Sequence, residues 1–303
     1  MKKNNNMGLA QAKAKSTAIA ATVFLFPALL LIGIFIVYPV IDTFVISGYK
    51  WNGISADKVF VGLENWKTLL HDEMFWKSFQ HNLIVMVFSI VLQIPLGMLL
   101  ATFLDAGGKK FNIFKIIWFL PYLMSSVAIA FLFVYALATN GGMVSSLASI
   151  IQGKKVTIDL LGTAPNALYT VIGVMAWQFT PFYMVYFIAG YGNIDTTIYE
   201  AAIIDGATRW QYIKHIAIPL LGPIFKTACI MSLIGSLKYF DMIWNMTQGG
   251  PAGTTELMAT YMYKLSFQQF SMGYGSTVAA GMFILITAIA LIFNKVFKVK
   301  EVY

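Results

Sequence analysis

Residues 197–219 read TIYEAAIIDGATRWQYIKHIAIP, a polar, sharply punctuated island between long apolar runs. Two helix starts are written in it. Thr197 followed by Glu200 fits a capping box, in which two side chains satisfy the free N–H groups of the first turn. Thr208 followed by Gln211 fits a second. Between them Asp205-Gly206 supplies a turn, since glycine accepts the left-handed conformation that ends a helix. Pro219 is expected to close the second helix, because a proline drives the residue before it out of the α region. The stretch thus predicts two short rods held at an angle by one glycine. Trp210, Ile213 and Ile216 fall near one face of the second rod, with Arg209 and Lys214 beside it. An apolar face on a rod outside the lipid suits a protein partner.

The apolar runs around this island set the class. The chain has 303 residues, 58% hydrophobic and 11% charged, with a mean hydropathy of +0.72. Soluble domains carry about 25% charge, so this is an all-α integral membrane protein. The net charge of +8 does not point to nucleic acid, because the cations cluster at the ends of apolar runs, where membrane orientation needs them.

Six spans are expected. Residues 1–16 form a polar, Lys-bearing tail, and 17–40 the first span. That run exceeds the roughly 7–15 residues of a signal-peptide core and no small-x-small cleavage site follows it. Residues 41–80 read as a loop with short surface helices in GLENWKTLL (62–70) and MFWKSFQHN (74–82). Further spans are expected at 83–104, 114–137, 167–189, 223–245 and 276–297, so that 81–297 is the core and 298–303 a tail. Pro27, Pro95, Pro121 and Pro181 lie inside spans as tolerated kinks, Pro121 being expected to bend the third. The turn-rich TQGGPAG (247–253) is a loop before the last span. No internal repeat or low-complexity tract is seen.

Lysine placement orients the chain. With the N-terminus inside, cytoplasmic segments hold Lys2, Lys3, Lys13, Lys15, Lys109, Lys110, Lys115, Arg209, Lys214, Lys226, Lys295, Lys298 and Lys300. Outer loops hold Lys50, Lys58, Lys67, Lys77, Lys154, Lys155 and Lys264. The bias puts both termini and the Glu200 stretch in the cytoplasm.

Several chemistries are absent. Gly107-Gly108-Lys109-Lys110 is not a phosphate-binding loop, since position 110 is Lys where the pattern needs Ser or Thr. It reads as a cytoplasmic turn. His71, His81 and His215 lack metal-ligand spacing, so no metal site is expected. Cys229 alone can form no disulfide within the chain and reads as a small buried hydrophobe.

Polar residues within spans are the candidates for a pathway, because lipid penalises them unless they find partners. Trp177, Gln178, Thr180 and Tyr183 surround Pro181. Ser232, Ser236 and Tyr239 share one helix face by their i, i+4, i+7 spacing. Hydroxyls, amides and flat rings are what a sugar needs, although small hydroxyl residues also serve helix packing. Lys238 and Asp241, three apart, are expected to pair locally or to snorkel at the outer end.

Glu200, Ala201, Ala202, Gly206, Ile216 and Pro219 together resemble the coupling-loop signature of ABC importer permeases. Asp205, Ala207, Trp210 and Gln211 resemble its carbohydrate branch, of the maltose and glycerol-phosphate type; Ile213 stands where that branch has Phe. The Gly62–Trp66 stretch and the Thr247–Gly273 region are similar to the same branch. The resemblance implies a pore subunit, not itself an enzyme, in a bacterial cytoplasmic membrane, with residues 191–222 as the coupling loop. It implies a second homologous permease chain, two cytoplasmic ATP-binding subunits that hold ATP-Mg, an extracytoplasmic solute-binding protein and a sugar or oligosaccharide. No cofactor is expected on this chain. Aligned through Glu200, Met175, Trp177, Phe182, Ser232, Ser236 and Tyr239 take the positions of sugar contacts. The alternative is an ion-gradient-driven secondary transporter. That reading needs broken helices in inverted repeats, and the sequence displays neither.

Overall fold

The computed structural model describes residues 17, 20–107 and 111–297. Both expected tails (1–16 and 298–303), and Lys109 and Lys110 of the Gly-Gly-Lys-Lys turn, lie outside the described residues. Long apolar stretches can satisfy their backbone in lipid only by forming helices, and helices dominate. Four are long and apolar enough to cross a membrane: α1 (Ala20–Ile46), α3 (Glu73–Asp105), α7 (Asn166–Gly192) and α13 (Met272–Val296). Two bent pairs bring the total to as many as six. The first pair is α4 (Asn112–Leu123) with α5 (Ser126–Ala136), bent by 90°; the second is α9 (Arg209–Leu220) with α10 (Gly222–Leu237), bent by 60°.

Smaller elements fill the connections. A two-residue hairpin pairs Tyr49 with Phe60 and Lys50 with Val59, followed by α2 (Glu64–Leu70). An isolated helix α6 (Met143–Gln152) follows α5, and α8 (Thr196–Ile204) precedes α9. Beyond α10 come α11 (Asp241–Met246) and α12 (Met258–Tyr263).

Several sequence expectations are corrected. The helix expected at 74–82 is the first turns of α3, which Asp72 caps by accepting from the N–H groups of Met74 and Phe75. The first span runs to Ile46 rather than stopping near residue 40. The third span does not merely bend at Pro121: the backbone turns extended at Met124 (ψ 146°) and Ser125 restarts the helix. The fifth span stops at Leu237, not near residue 245. Lys238 and Asp241 therefore do not share a helix turn, and among the described residues the ion pair is Lys264–Glu256 instead. Pro27, Pro95 and Pro181 lie within uninterrupted helices.

Pro39, Pro95 and Pro219 share a local solution. Each stands two residues beyond a wide, π-type turn: Gly33–Val37, Ser89–Gln93 and Ile213–Ala217. A proline in a plain helix loses a hydrogen bond and clashes with the carbonyl four residues back, costing about 3 kcal/mol. In the wide turn the residue before the proline bonds five residues back instead of four: Tyr38 N–H donates to Gly33 O, and Ile218 N–H to Ile213 O.

α7 is the central column. Its second half packs along the second half of α3, where a Cβ on Gly97 would lie 2.6 Å from that of Tyr183. Only glycine permits so close a crossing. Apolar clusters line both halves of α7, and a third joins α2, the start of α3, α12 and α13.

Candidate functional site

Two regions hold the candidates. The first is the α8–α9 helix pair, at the end of the bundle where α3 finishes. Asp195, not Thr197, caps α8; its carboxylate accepts from Thr197 N–H at 2.9 Å. The bonds from Thr197 hold this carboxyl below the usual carboxylate range. At the other end of α8, Gly206 N–H donates to Ile203 O and Ala207 N–H to Ala202 O, both at 2.9 Å. This nested pair of bonds is the Schellman closure, and it needs the left-handed φ of +78° that Gly206 adopts. A Cβ there would meet nothing within 4 Å, so backbone conformation, not space, requires the glycine.

The second rod begins as the sequence implies. Thr208 Oγ1 accepts from Gln211 N–H, and Gln211 Oε1 accepts from Thr208 N–H at 2.7 Å, completing the box. Pro219 does not close this rod, which runs on to Leu220. The rods lean together through Tyr199 and Tyr212, whose rings meet edge-on at 4.9 Å. Arg209 ties them to the bundle by donating to Asp105 O at 3.4 Å.

Of the named coupling residues, Glu200, Ala201, Asp205, Gly206, Trp210 and Pro219 are exposed, Ala202 is buried, and Ile213 and Ile216 are half-buried. The expected apolar face of α9 is therefore partly spent on the bundle. Ile203 and Ile204, outside the expected coupling set, are exposed as well. Adjacent large aliphatics just before a capped turn were the available signal.

The second region lies halfway along α7. Gln178 is 2% exposed and faces the elbow between α4 and α5. Its Nε2 donates to Ser126 Oγ at 3.2 Å and to Met124 O at 3.4 Å. Close by, Tyr239 sits in the break between α10 and α11, its ring edge-on to Phe179. Two interruptions of the helical bundle thus touch adjacent residues of α7, Gln178 and Phe179. Gln178 Oε1 is buried without a hydrogen-bond partner in the protein, and the buried hydroxyls of Ser232 and Tyr239 stand beside those of Tyr183 and Ser126.

The aligned sugar-contact residues are dispersed by burial. Met175 lies inside the apolar cluster. Trp177 is 43% exposed, with Phe133 edge-on at 5.4 Å. Phe182 is half-buried among Tyr122, Tyr183 and Tyr186. Ser232 and Ser236 are buried, and Tyr239 lies beyond the helix end, so the three do not form the continuous helix face that their spacing suggested.

Asn82, fully buried on α3, holds this break. Its Nδ2 donates to Ser236 O and Leu237 O, the last carbonyls of α10, and its Oδ1 accepts from Met258 N–H at the start of α12. Nearby, Asp72 accepts from the hydroxyls of Tyr261 and Tyr274. No group of histidine, cysteine and carboxylate side chains that could hold a metal occurs among the described residues.

Comparison with known proteins places this arrangement. The family described as binding-protein-dependent transport system inner membrane component matches residues 93–300. A probable ABC transporter permease protein of Pyrococcus horikoshii is 34% identical over 88% of this chain and 92% of its own. The lactose transport system permease protein LacF of Rhizobium radiobacter is 31% identical over 89% and 91%. The fold matches a chain of a bacterial alginate ABC transporter solved in complex with alginate pentasaccharide-bound periplasmic protein, with a TM-score of 0.79 and 24% identity over 93% of this chain and 95% of that one. By its sequence and its fold, the chain belongs to the family of inner membrane components of binding-protein-dependent transport systems.

Proposed function

We propose that the chain forms half of the pore of an ATP-driven, binding-protein-dependent importer of a sugar or oligosaccharide. The observation that carries this reading is the helix pair, in which Ile204 and Trp210 protrude, 84% and 67% exposed, from a doubly capped turn beyond the bundle. Such a rigid apolar knob suits docking into an ATP-binding subunit. Two of these subunits hold ATP-Mg and drive the pore; this chain binds no cofactor. A second homologous permease completes the pore and an extracytoplasmic binding protein delivers substrate. Both termini and the helix pair face the cytoplasm. Lactose and alginate, named for relatives, support a carbohydrate cargo. The unpartnered amide oxygen of Gln178 and the hydroxyls of Ser232 and Tyr239, with the half-exposed ring of Trp177, supply the hydrogen bonds and flat surface a sugar needs.

A gradient-driven transporter would also use broken helices, so the α4–α5 elbow removes one argument against that alternative. Family membership favours the ATP-driven reading. Co-purification of an ATP-hydrolysing subunit, followed by ATP-dependent uptake of labelled oligosaccharides into vesicles holding the complex, tests it. Uptake that follows an imposed ion gradient without ATP overturns it. Within that assay Trp177→Ala and Tyr239→Ala should impair uptake while ATP hydrolysis persists, at a cost of about 1–3 kcal/mol in sugar binding for a lost stacked ring. Normal uptake by both at all substrate concentrations would remove the sugar site from this part of the pore.

A further inference from the structure

The helix α6 is inside out. Its inward face carries Ser145 and Ser149, beside the half-buried Val144 and Ala148. Ser145 and Ser149 each accept from and donate to the returning segment, through the backbone of Ile158 and Val156 respectively. Its outward face is apolar: Met143, Leu147, Ile150 and Ile151 are 60%, 52%, 76% and 83% exposed. Their spacing of i, i+4, i+7 and i+8 draws one stripe down a helix. A soluble helix buries such a stripe and turns its serines to water; this one does the reverse. Ten residues rise only about 15 Å, half the thickness of a hydrocarbon core, so α6 cannot span.

We infer that α6 lies in the plane of the membrane, with its apolar stripe in the acyl boundary and Lys154 and Lys155 on phosphate headgroups. Two observations choose lipid as the occupant. The stripe continues an exposed apolar surface: α6 follows α5 after a short connection, and α5 ends with Phe131, Leu132 and Tyr135 exposed, Tyr135 to 74%. The charge also fits, because the exposed Lys154 and Lys155 stand directly beyond the left-handed Gly153 that closes α6. Apolar residues on one side and cations at the end are the pattern of an interfacial helix. The cations add attraction to anionic lipid within a Debye length of the surface.

The test uses the full chain in vesicles of phosphatidylcholine and phosphatidylglycerol, in a Cys229→Ser background. Single cysteines at Leu147, Ile150 or Ile151, and at Gln152 as an exposed control on the opposite side of the helix, carry an environment-sensitive fluorophore. The stripe positions should show blue-shifted emission, quenched by lipids brominated along the acyl chain and not by aqueous iodide, while position 152 shows the opposite. In Lys154→Gln/Lys155→Gln protein, quenching by brominated phosphatidylglycerol should fall to that by brominated phosphatidylcholine. Iodide access to 150 and 151 overturns the inference. So does loss of lipid quenching once the partner permease and the binding protein are assembled, since the stripe would then be a protein docking face.

Discussion

Gly206 is the residue on which the angle between α8 and α9 depends. Its cost to replace is conformational, because the space around it is empty. A β-branched side chain resists φ near +78°, whereas asparagine tolerates the left-handed region. Gly206→Val should therefore insert normally yet lose ATPase attachment or uncouple hydrolysis from uptake, and Gly206→Asn should retain most of the activity. Equal, wild-type transport by both variants would separate the turn from coupling. Gly206 was legible because one residue type answers one backbone need. The cap of α8 was less so: Asp195, Thr196 and Thr197 can all accept a hydrogen bond at a helix start, and the choice among them follows from where α7 ends.

Among the elements, long apolar runs announced the spans, but not their breaks. Pro121 and the capping Ser125 mark a break near Met124 but not its right angle, which Gln178, more than 50 residues away, holds from α7. Asn82 illustrates the same limit. In sequence it closes what looks like a surface helix; in the fold it joins α3 to α10 and α12 through partners 154 to 176 residues distant. Replacing it with leucine strands Leu237 O and Met258 N–H in the interior, while Ser236 O keeps the N–H of Tyr239. Each stranded group costs about 1–3 kcal/mol. Asn82→Leu should thus lower the thermal unfolding midpoint of the purified protein sharply, by more than Asn245→Leu, whose amide makes only a local bond to Asp241 O. Equal midpoints would show that the amide is dispensable to the break.

At the scale of the whole molecule, the lysine bias predicts which end of the bundle faces the cytoplasm. Arg209 belongs to the end of α3 and Lys154 to the connection beyond α5, so they should lie on opposite sides of the membrane. Single cysteines at 209 and 154, in a Cys229→Ser background, should react with an impermeant reagent from opposite faces: position 154 in intact cells, position 209 only in opened ones. Labelling of 209 in intact cells would invert the topology and remove the coupling role of α8 and α9. At this scale the fold class was legible from hydropathy and charge, because lipid imposes both on every span. The candidate sugar site was not, because burial sorts Met175 from Trp177, two residues apart, and no periodicity reports which side of a central helix opens to a pathway.

The wide turns that precede Pro39, Pro95 and Pro219 have a consequence for how such chains tolerate insertion and deletion. A π-type turn holds about one residue more than an α turn, so each is a helix with one surplus residue stored beside a proline. Removing one residue from Ser89–Gln93 together with Pro95→Ala should restore an unbroken α-helix while Leu96–Asp105 keep their facing toward α7. Pro95→Ala alone should leave the surplus in place at little cost. Deletion alone should keep the facing but force Pro95 into a plain α turn, where it loses a bond and clashes at a cost of about 3 kcal/mol, and so weaken insertion or assembly. Membrane integration and assembly of the three variants, read side by side, would distinguish a stored residue from a flexible joint.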